Sequence, residues 1–404
     1  MKVLALGGCG EMGRAAVKTL LALSPEISVI IADRNAEAAK SFSETLSGRA
    51  SWLALDIRDQ KALDQAVQGA DLTMSSVGPY FLFGKLVLSS CIRCRRHYVD
   101  ICDDWEPTLE MLDADQAAKD AGITAIIGMG ASPGMTNLAG RVAIEALDRA
   151  DSIVTAWDLE SARPEKVGKK ASAATVHGFH QLTGTIRQFK AGRYTDVRPI
   201  EPRKIAYPGA DERVAWTIGH PESVTFPRFF PKLTESVNVF TAGSALVWGL
   251  KLVAGLADWK LISIERAAWI AERVEGPPKG VQDWSAQRET MLKKGGLPPL
   301  FALAEGEKDG ARAQAACMIL SAPPGGMAGA TGMPMAVGAF LVLTGKITAP
   351  GVFAPEGAVN PKDFFDILAP LCSPPMKDAD DFLLVTRSWE KPDLAALLKE
   401  RIPH

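Results

Sequence analysis

The sequence predicts an α/β chain in which a doubly wound parallel sheet is followed by a second, α+β domain. Three observations predict it. Met1 to Arg34 reads strand, glycine loop, helix, strand, acid. Apolar runs of strand length then alternate with helical patterns as far as Ile127, the signature of strands joined by crossover helices. After Gly128 that alternation stops, and period-two runs lie among helices, which suits a mixed or mostly antiparallel sheet.

The elements follow in order. Lys2 to Leu6 is the first strand, and Arg14 to Leu21 has helical spacing with Ala16, Val17, Leu20 and Leu21 on one side. Ser28 to Ala32 is the second strand. Ala36 to Leu46 is a helix for which Asn35 is a natural N-cap. Strands at 51–55, 72–77, 97–101 and 124–127 alternate with helices at 59–67, 82–94 and 109–121. In the second domain, strand-like runs at 153–159, 185–189, 213–218, 236–240 and 314–321 lie among helical runs at 245–256, 262–271 and 284–293. Further helices are expected at 331–344 and 363–371. The expected domains are 1–128, 129–330 and a C-terminal segment, 331–404.

The first thirty-four residues carry the chemistry. In Gly8-Cys9-Gly10-Glu11-Met12-Gly13, Gly8 is expected to make the tight turn, Gly10 to let a pyrophosphate approach the backbone, and Gly13 to let helix and strand pack closely. The helix N-terminus, through Glu11 and Met12, offers free N–H groups to phosphate. Asp33, twenty residues beyond Gly13, is placed to accept ribose hydroxyls. This is a Rossmann-type dinucleotide site. A carboxylate at Asp33 favours NAD, while Arg34 beside it leaves NADP possible. Ligands in such sheets lie beyond the carboxyl ends of the strands, so Asp56, Ile57, Ser76, Val77, Gly78, Pro79, Tyr80 and Cys102 are candidate cofactor contacts.

Composition excludes other classes. The 404 residues carry 45 Lys plus Arg against 47 Asp plus Glu, a net charge of −2, without the basic excess of a nucleic-acid binder. Six cysteines follow no disulfide framework, and Cys91-Ile-Arg-Cys94 has no second pair, so reduced thiols and a cytoplasmic protein are the reading. The uncharged stretch 321–344 is broken by prolines and glycines, and 242–256 contains Lys251, so no membrane span is expected. No His/Cys/Glu cluster has zinc spacing, and no metal is assigned.

Four segments give the chain a family likeness: the Gly8–Gly13 loop, Ser76-Val77-Gly78-Pro79-Tyr80, residues 97–104, and Gly130-Ala131-Ser132-Pro133-Gly134-Met135-Thr136-Asn137. Gly219-His220-Pro221-Glu222 and Ala330-Thr331-Gly332-Met333-Pro334 add to it. On these the chain resembles the saccharopine dehydrogenase-like oxidoreductases. The resemblance implies a Rossmann domain, an inserted catalytic domain that often mediates dimerisation, a C-terminal segment, 331–404, that returns to the first domain, and hydride transfer at a carbon bearing nitrogen. Its substrate would be an amino acid, an opine or a related amine or imine.

Such a reaction needs an oriented nicotinamide and one managed proton. Asp103 at the end of the fifth strand is the first candidate, against an N-cap role for it or Asp104. Tyr80 is a candidate for stacking on nicotinamide or substrate, against a loop aromatic that closes the core. His177 and His180 are candidates in the second domain. His97 and His220 read as structural, His220 with Glu222 as a possible charge partner. Ser132, Gly134, Thr136 and Asn137, at a helix start, are expected to hold a substrate carboxylate, against a plain helix cap. The competing functions are reduction of a C=C bond in a lipid-like substrate and a non-catalytic dinucleotide-binding protein. The apolar stretch 242–256 predicts a homodimer.

Overall fold

A computed structural model describes residues 1–46, 48–159, 171, 173–275 and 297–401. The expected helix at 284–293 lies outside the described residues. The chain forms two compact units: Met1–Leu138 with Pro323–Ala379, and Ala139–Ala322 with Asp380–His404.

In the first unit, six strands come from the N-terminal half: β1 (Lys2–Leu6), β2 (Ser28–Asp33), β3 (Ala50–Ala54), β4 (Leu72–Ser75), β5 (His97–Asp100) and β6 (Thr124–Ile126). A seventh, Gly351–Phe353, pairs in parallel with β6 from the far end of the sequence. All neighbours are parallel, and β1 lies between β2 and β4, so the winding direction reverses there. That reversal is where doubly wound sheets bind ligands. Val3, Leu4, Val29, Ile31, Leu72, Met74 and Val99 are buried in the sheet, as near-continuous apolar strands covered on both faces should be.

The helix α1 (Glu11–Leu23) buries Gly13, Ala16, Val17, Leu20 and Leu21. Against it packs the helix Gly326–Leu343, and Gly332 is what allows the approach. A Cβ at Gly332 would lie 2.3 Å from the Met12 carbonyl oxygen and 2.9 Å from the Ala15 Cβ. This helix is also the one described helix long and apolar enough to cross a membrane. Its 61% burial and its seat on α1 make it a core helix of this unit.

The second unit is a mixed sheet of nine strands. Strand Glu235–Thr241 runs parallel to Arg149–Asp158, and the other pairs are antiparallel. The expected α/β fold with a mixed or mostly antiparallel second sheet is thus the one observed. The strand Leu300–Lys308, absent from the sequence reading, is inserted between Arg149–Asp158 and Ala311–Ile319. Leu383–Arg387 closes the far edge against Ala311–Ile319, which is why the last residues go with this unit. Ala139, Ala143, Ile153, Phe226, Ala302 and Cys317 lie within one of its cores.

Candidate functional site

The site is built on the β1–α1 loop. Gly7, not Gly8, takes the left-handed turn, with φ of 70°, and its N–H donates to the Ala32 carbonyl at 3.0 Å. Gly8 serves close packing instead: a Cβ there would meet the Ala5 carbonyl oxygen at 2.9 Å. The expected turn assignment is corrected by one residue, because the chain must reverse immediately at the end of β1. Gly13 holds the helix against the loop, since a Cβ would fall 2.4 Å from the Gly7 carbonyl oxygen. Gly10 is different. It is exposed, and a Cβ there would meet only the Gly7 oxygen, at 3.3 Å.

The N-terminus of α1 has no side-chain cap. Gly10 N–H donates to Gly7 and Arg14 N–H to Gly10, while the Arg14 Nε takes the Cys9 carbonyl at 2.7 Å. The N–H groups of Glu11, Met12 and Gly13 take no backbone carbonyl among the described residues. Three outward N–H groups, a positive helix end and open space over Gly10 fit a pyrophosphate. Ser76 braces the loop from β4: its Oγ lies 3.2 Å from the carbonyl oxygens of both Leu6 and Gly7.

At the end of β2, Asp33 is partly buried, and its Oδ1 accepts the Asn35 N–H at 3.0 Å. Arg34 is exposed. Asp56 is gripped by Arg58, which holds its carboxyl down at about 2. Ile57 is buried, Val77 and Pro79 are half-buried, and Gly78 is exposed at the end of β4.

Tyr80 corrects an expectation. Its ring is buried, and its hydroxyl donates to the Ser75 carbonyl at 2.9 Å and accepts the Ile101 N–H at 3.4 Å. It bridges the ends of β4 and β5 and has no face to stack on a ligand. Cys102 is likewise buried, with its Sγ 3.5 Å from the Thr108 Oγ1 and its N–H donated to Asp100. Asp103 and Asp104 are half-buried just beyond, and Asp104 sits at the N-cap of helix Trp105–Leu112, its side chain making no cap bond there.

Sequence reasoning missed Asp100. Fully buried, its Oδ1 accepts the N–H of Cys102 at 3.0 Å and of Gly128 at 2.7 Å, and its Oδ2 the Tyr98 hydroxyl at 2.8 Å. Burial pushes this carboxyl up to about 6 against the pull of those three donors. It ties the end of β5 to the turn after β6. A lone acid closing a strand gives no sign in sequence of the backbone it will meet.

The turn after β6 proves to be a closed cap. Gly134 has φ of 126°, and a Cβ there would lie 1.9 Å from the Gly130 oxygen. Its N–H donates to the Asn137 Oδ1 at 2.7 Å, Met135 N–H to Gly130, and Thr136 N–H to Ala131. Asn137 and Thr136 are fully buried, and the Asn137 Nδ2 donates to the Glu356 Oε2 at 2.7 Å. Gly134, Thr136 and Asn137 therefore build the start of helix Met135–Glu145, and the expected carboxylate-binding role passes from them because their donors already have acceptors. Ser132 is half-buried.

His97 accepts the Thr124 N–H on Nδ1 at 3.0 Å, the structural bond expected of it. In the second unit, His177 and His180 lie on helix Ala173–Gln181. The His177 Nε2 is 3.2 Å from the Gln181 Nε2, and His180 is exposed. The His220 Nδ1 lies 2.9 Å from the Glu222 Oε2, both buried, as the Gly-His-Pro-Glu turn suggested.

Comparison with known proteins bears on these features. Residues 3–126 match the family model described as the saccharopine dehydrogenase NADP binding domain. The saccharopine dehydrogenase [NADP(+), L-glutamate-forming] of Pyricularia oryzae is 36% identical over 124 residues, 31% of this chain. The match spans 26% of that protein's length. Apo saccharopine dehydrogenase (L-Glu forming) of Saccharomyces cerevisiae superposes with a TM-score of 0.60 at 16% identity, covering 96% of this chain and 99% of that one, a likeness of fold. The matched family model and the Pyricularia oryzae relative are both described by NADP, where Asp33 alone argued for NAD in this chain. Residues 3–126 thus match a saccharopine dehydrogenase NADP binding domain, and the chain shares the fold of the Saccharomyces cerevisiae saccharopine dehydrogenase.

Proposed function

We propose that the chain is a nicotinamide-dinucleotide-dependent oxidoreductase that acts at a C–N bond of an amino acid, opine or related amine. The observation that carries this is the uncapped N-terminus of α1 above Gly10, inside a domain that matches a saccharopine dehydrogenase NADP-binding family. The relatives support this reading over C=C reduction and over a non-catalytic binder.

The nicotinamide, when bound, supplies the hydride chemistry. The chain's own part is to hold the pyrophosphate on the Glu11, Met12 and Gly13 N–H groups and to move one proton. Asp103 and His177 are the residues we carry forward as acid/base candidates, with Ser132 and His180 as substrate contacts. Six free cysteines accord with a reducing, cytoplasmic setting. The exposed Trp248 and Leu252 on helix Ser244–Asp258 accord with a homodimer.

The test is a screen of amino acids, opines and polyamines with purified protein in both directions, following absorbance of the reduced cofactor. Turnover of at least one such substrate, lost in Gly10→Val, is expected. The proton carrier is whichever of Asp103→Asn and His177→Gln lowers kcat by about 100-fold or more. Cofactor binding without turnover across the panel would overturn the catalytic reading.

A further inference from the structure

In the second unit, helices Ser244–Asp258 and Ile264–Glu275 form a hairpin, the second of them packed on helix Ala173–Gln181. Its inner side is accounted for: Leu250, Ala267, Ala268 and Ala271 are buried with Phe179, and Ile262 and Ile264 lie against them. The first helix is nonetheless apolar all round, since Lys251 is its only charge before Asp258. A helix of that kind belongs in a core or against lipid, and this one ends in water. Trp259, its C-cap, is 77% exposed, and Leu261 is 65% exposed. The turn fixes both. The Lys260 N–H donates to the Ala257 carbonyl and the Leu261 N–H to the Leu256 carbonyl, each at 2.9 Å, the two bonds of a Schellman cap. Lys260 has φ of 59°, at the left-handed position that glycine usually fills. Leu261 holds the position whose side chain ordinarily folds back on the last turn, yet it is exposed. Among the described side chains of the hairpin, the charges in contact with water are Lys251, Lys260, Arg266 and Arg273 against Asp258 and Glu265, while Glu272 is buried. The Asp258 Oδ1 already takes the Gly184 N–H at 2.7 Å.

We propose that Trp259-Lys260-Leu261 is a tip that docks on the surface of an anionic phospholipid bilayer. An indole and a leucine side chain enter the boundary between headgroups and acyl chains, and the lysine between them meets the anionic headgroups. Arg266, one turn into the next helix, adds charge of the same sign, and such charges act together at an anionic surface. A lysine in a left-handed turn is less favourable for folding than glycine, and what it adds is a cation between two exposed apolar groups. The contact is peripheral, because the rest of the hairpin is seated on the core of the unit. It leaves Trp248 and Leu252 to a second copy of the chain, since Leu252 lies about 10 Å back along the helix from Trp259.

The test is co-sedimentation of the purified full chain with sucrose-loaded vesicles, either phosphatidylcholine alone or phosphatidylcholine with about one-third phosphatidylserine. Wild type is expected to partition onto the anionic vesicles at least about tenfold more strongly than onto the neutral ones, and to be released by high salt. Trp259→Ser with Leu261→Ser is expected to lower that partition about tenfold or more, with the melting temperature and the mass by light scattering as in wild type. Lys260→Gly relieves the left-handed backbone, so its melting temperature is expected at or above that of wild type, while its partition onto anionic vesicles falls about threefold or more. A wild type that stays in the supernatant with both vesicles, or that binds both equally, overturns the proposal. So does a double variant that sediments as wild type does, or a Lys260→Gly that keeps full partition. A double variant with an altered mass assigns the tip to contact between copies and overturns it as well.

Discussion

The side-chain amide of Asn137 donates to the carboxylate of Glu356 at 2.7 Å while its oxygen accepts the Gly134 N–H at the same distance. One buried residue thus caps the helix after β6 and binds it to the segment that supplies the last strand of the sheet. Replacing Asn137 by alanine removes a helix cap, about 1 kcal/mol, and a hydrogen bond to a buried carboxylate, about 1.5–3 kcal/mol. Asn137→Ala is therefore expected to lose about 2–4 kcal/mol in urea denaturation with cofactor affinity nearly unchanged. A loss of cofactor or substrate affinity at unaltered stability would return this turn to the role of a ligand cradle.

Gly10 and Gly13 should separate binding from folding. Valine at Gly10 meets little protein, so the melting temperature of Gly10→Val should stay near wild type while the rise on adding NADPH disappears. Alanine at Gly13 already collides with the Gly7 carbonyl oxygen, so Gly13→Ala should lower the melting temperature even without ligand. The same outcome in both variants would refute this division of labour.

Asp100 gives the first unit a pH dependence of known sign. Its folded-state carboxyl, at about 6, lies above the ordinary value of 3.8, so the folded form binds the proton more tightly. The stability this adds is fully present below about pH 4 and is lost as the pH rises through about 6. In Asp100→Asn the amide oxygen can keep both backbone N–H bonds and the Nδ2 can donate to Tyr98. Measured by denaturation between pH 4.5 and 7.0, the variant's stability relative to wild type should improve with rising pH, by no more than about 3 kcal/mol. A flat difference would show that Asp100 does not titrate in this window.

The helix Ser244–Asp258 leaves Trp248 at 72% and Leu252 at 67% exposure, and Trp259 follows at 77%. Light scattering at micromolar concentration should give twice the 43.2 kDa of the chain, and Trp248→Glu with Leu252→Glu should restore the single mass. A wild type that scatters as one chain would rule the dimer out.

Much of the first unit was legible because its strands are apolar on both faces and each is punctuated by a turn or an acid. The strand Leu300–Lys308 was not. Phe301-Ala302-Leu303-Ala304 has no strand-specific period, and alanine favours helix; pairing on both sides overrides that preference. Gly351–Phe353 is too short to signal itself. At the site, the glycine loop was placed correctly between β1 and α1, but the turn glycine was displaced by one, and Tyr80 and Asn137 were assigned outward roles. Both carry polar groups in the first turn of a helix, where an inward bond and an outward one look alike until the partners, Ser75 and Glu356, are in place. The Asp56–Arg58 fork was invisible for a related reason: the two residues flank Ile57, and only the fold turns their side chains toward each other.

The seat of Gly332 against Met12 also sets a timetable. The N-terminal strands emerge from the ribosome long before the helix that covers α1, with residues 139–322 made in between. At roughly 5–20 residues per second, that interval is on the order of ten to forty seconds. During it the nascent chain carries a β-sheet lacking its seventh strand and a bare face of α1. Those are the surfaces on which a chaperone would have to act, and a ribosome stalled between residues 139 and 322 would leave them open.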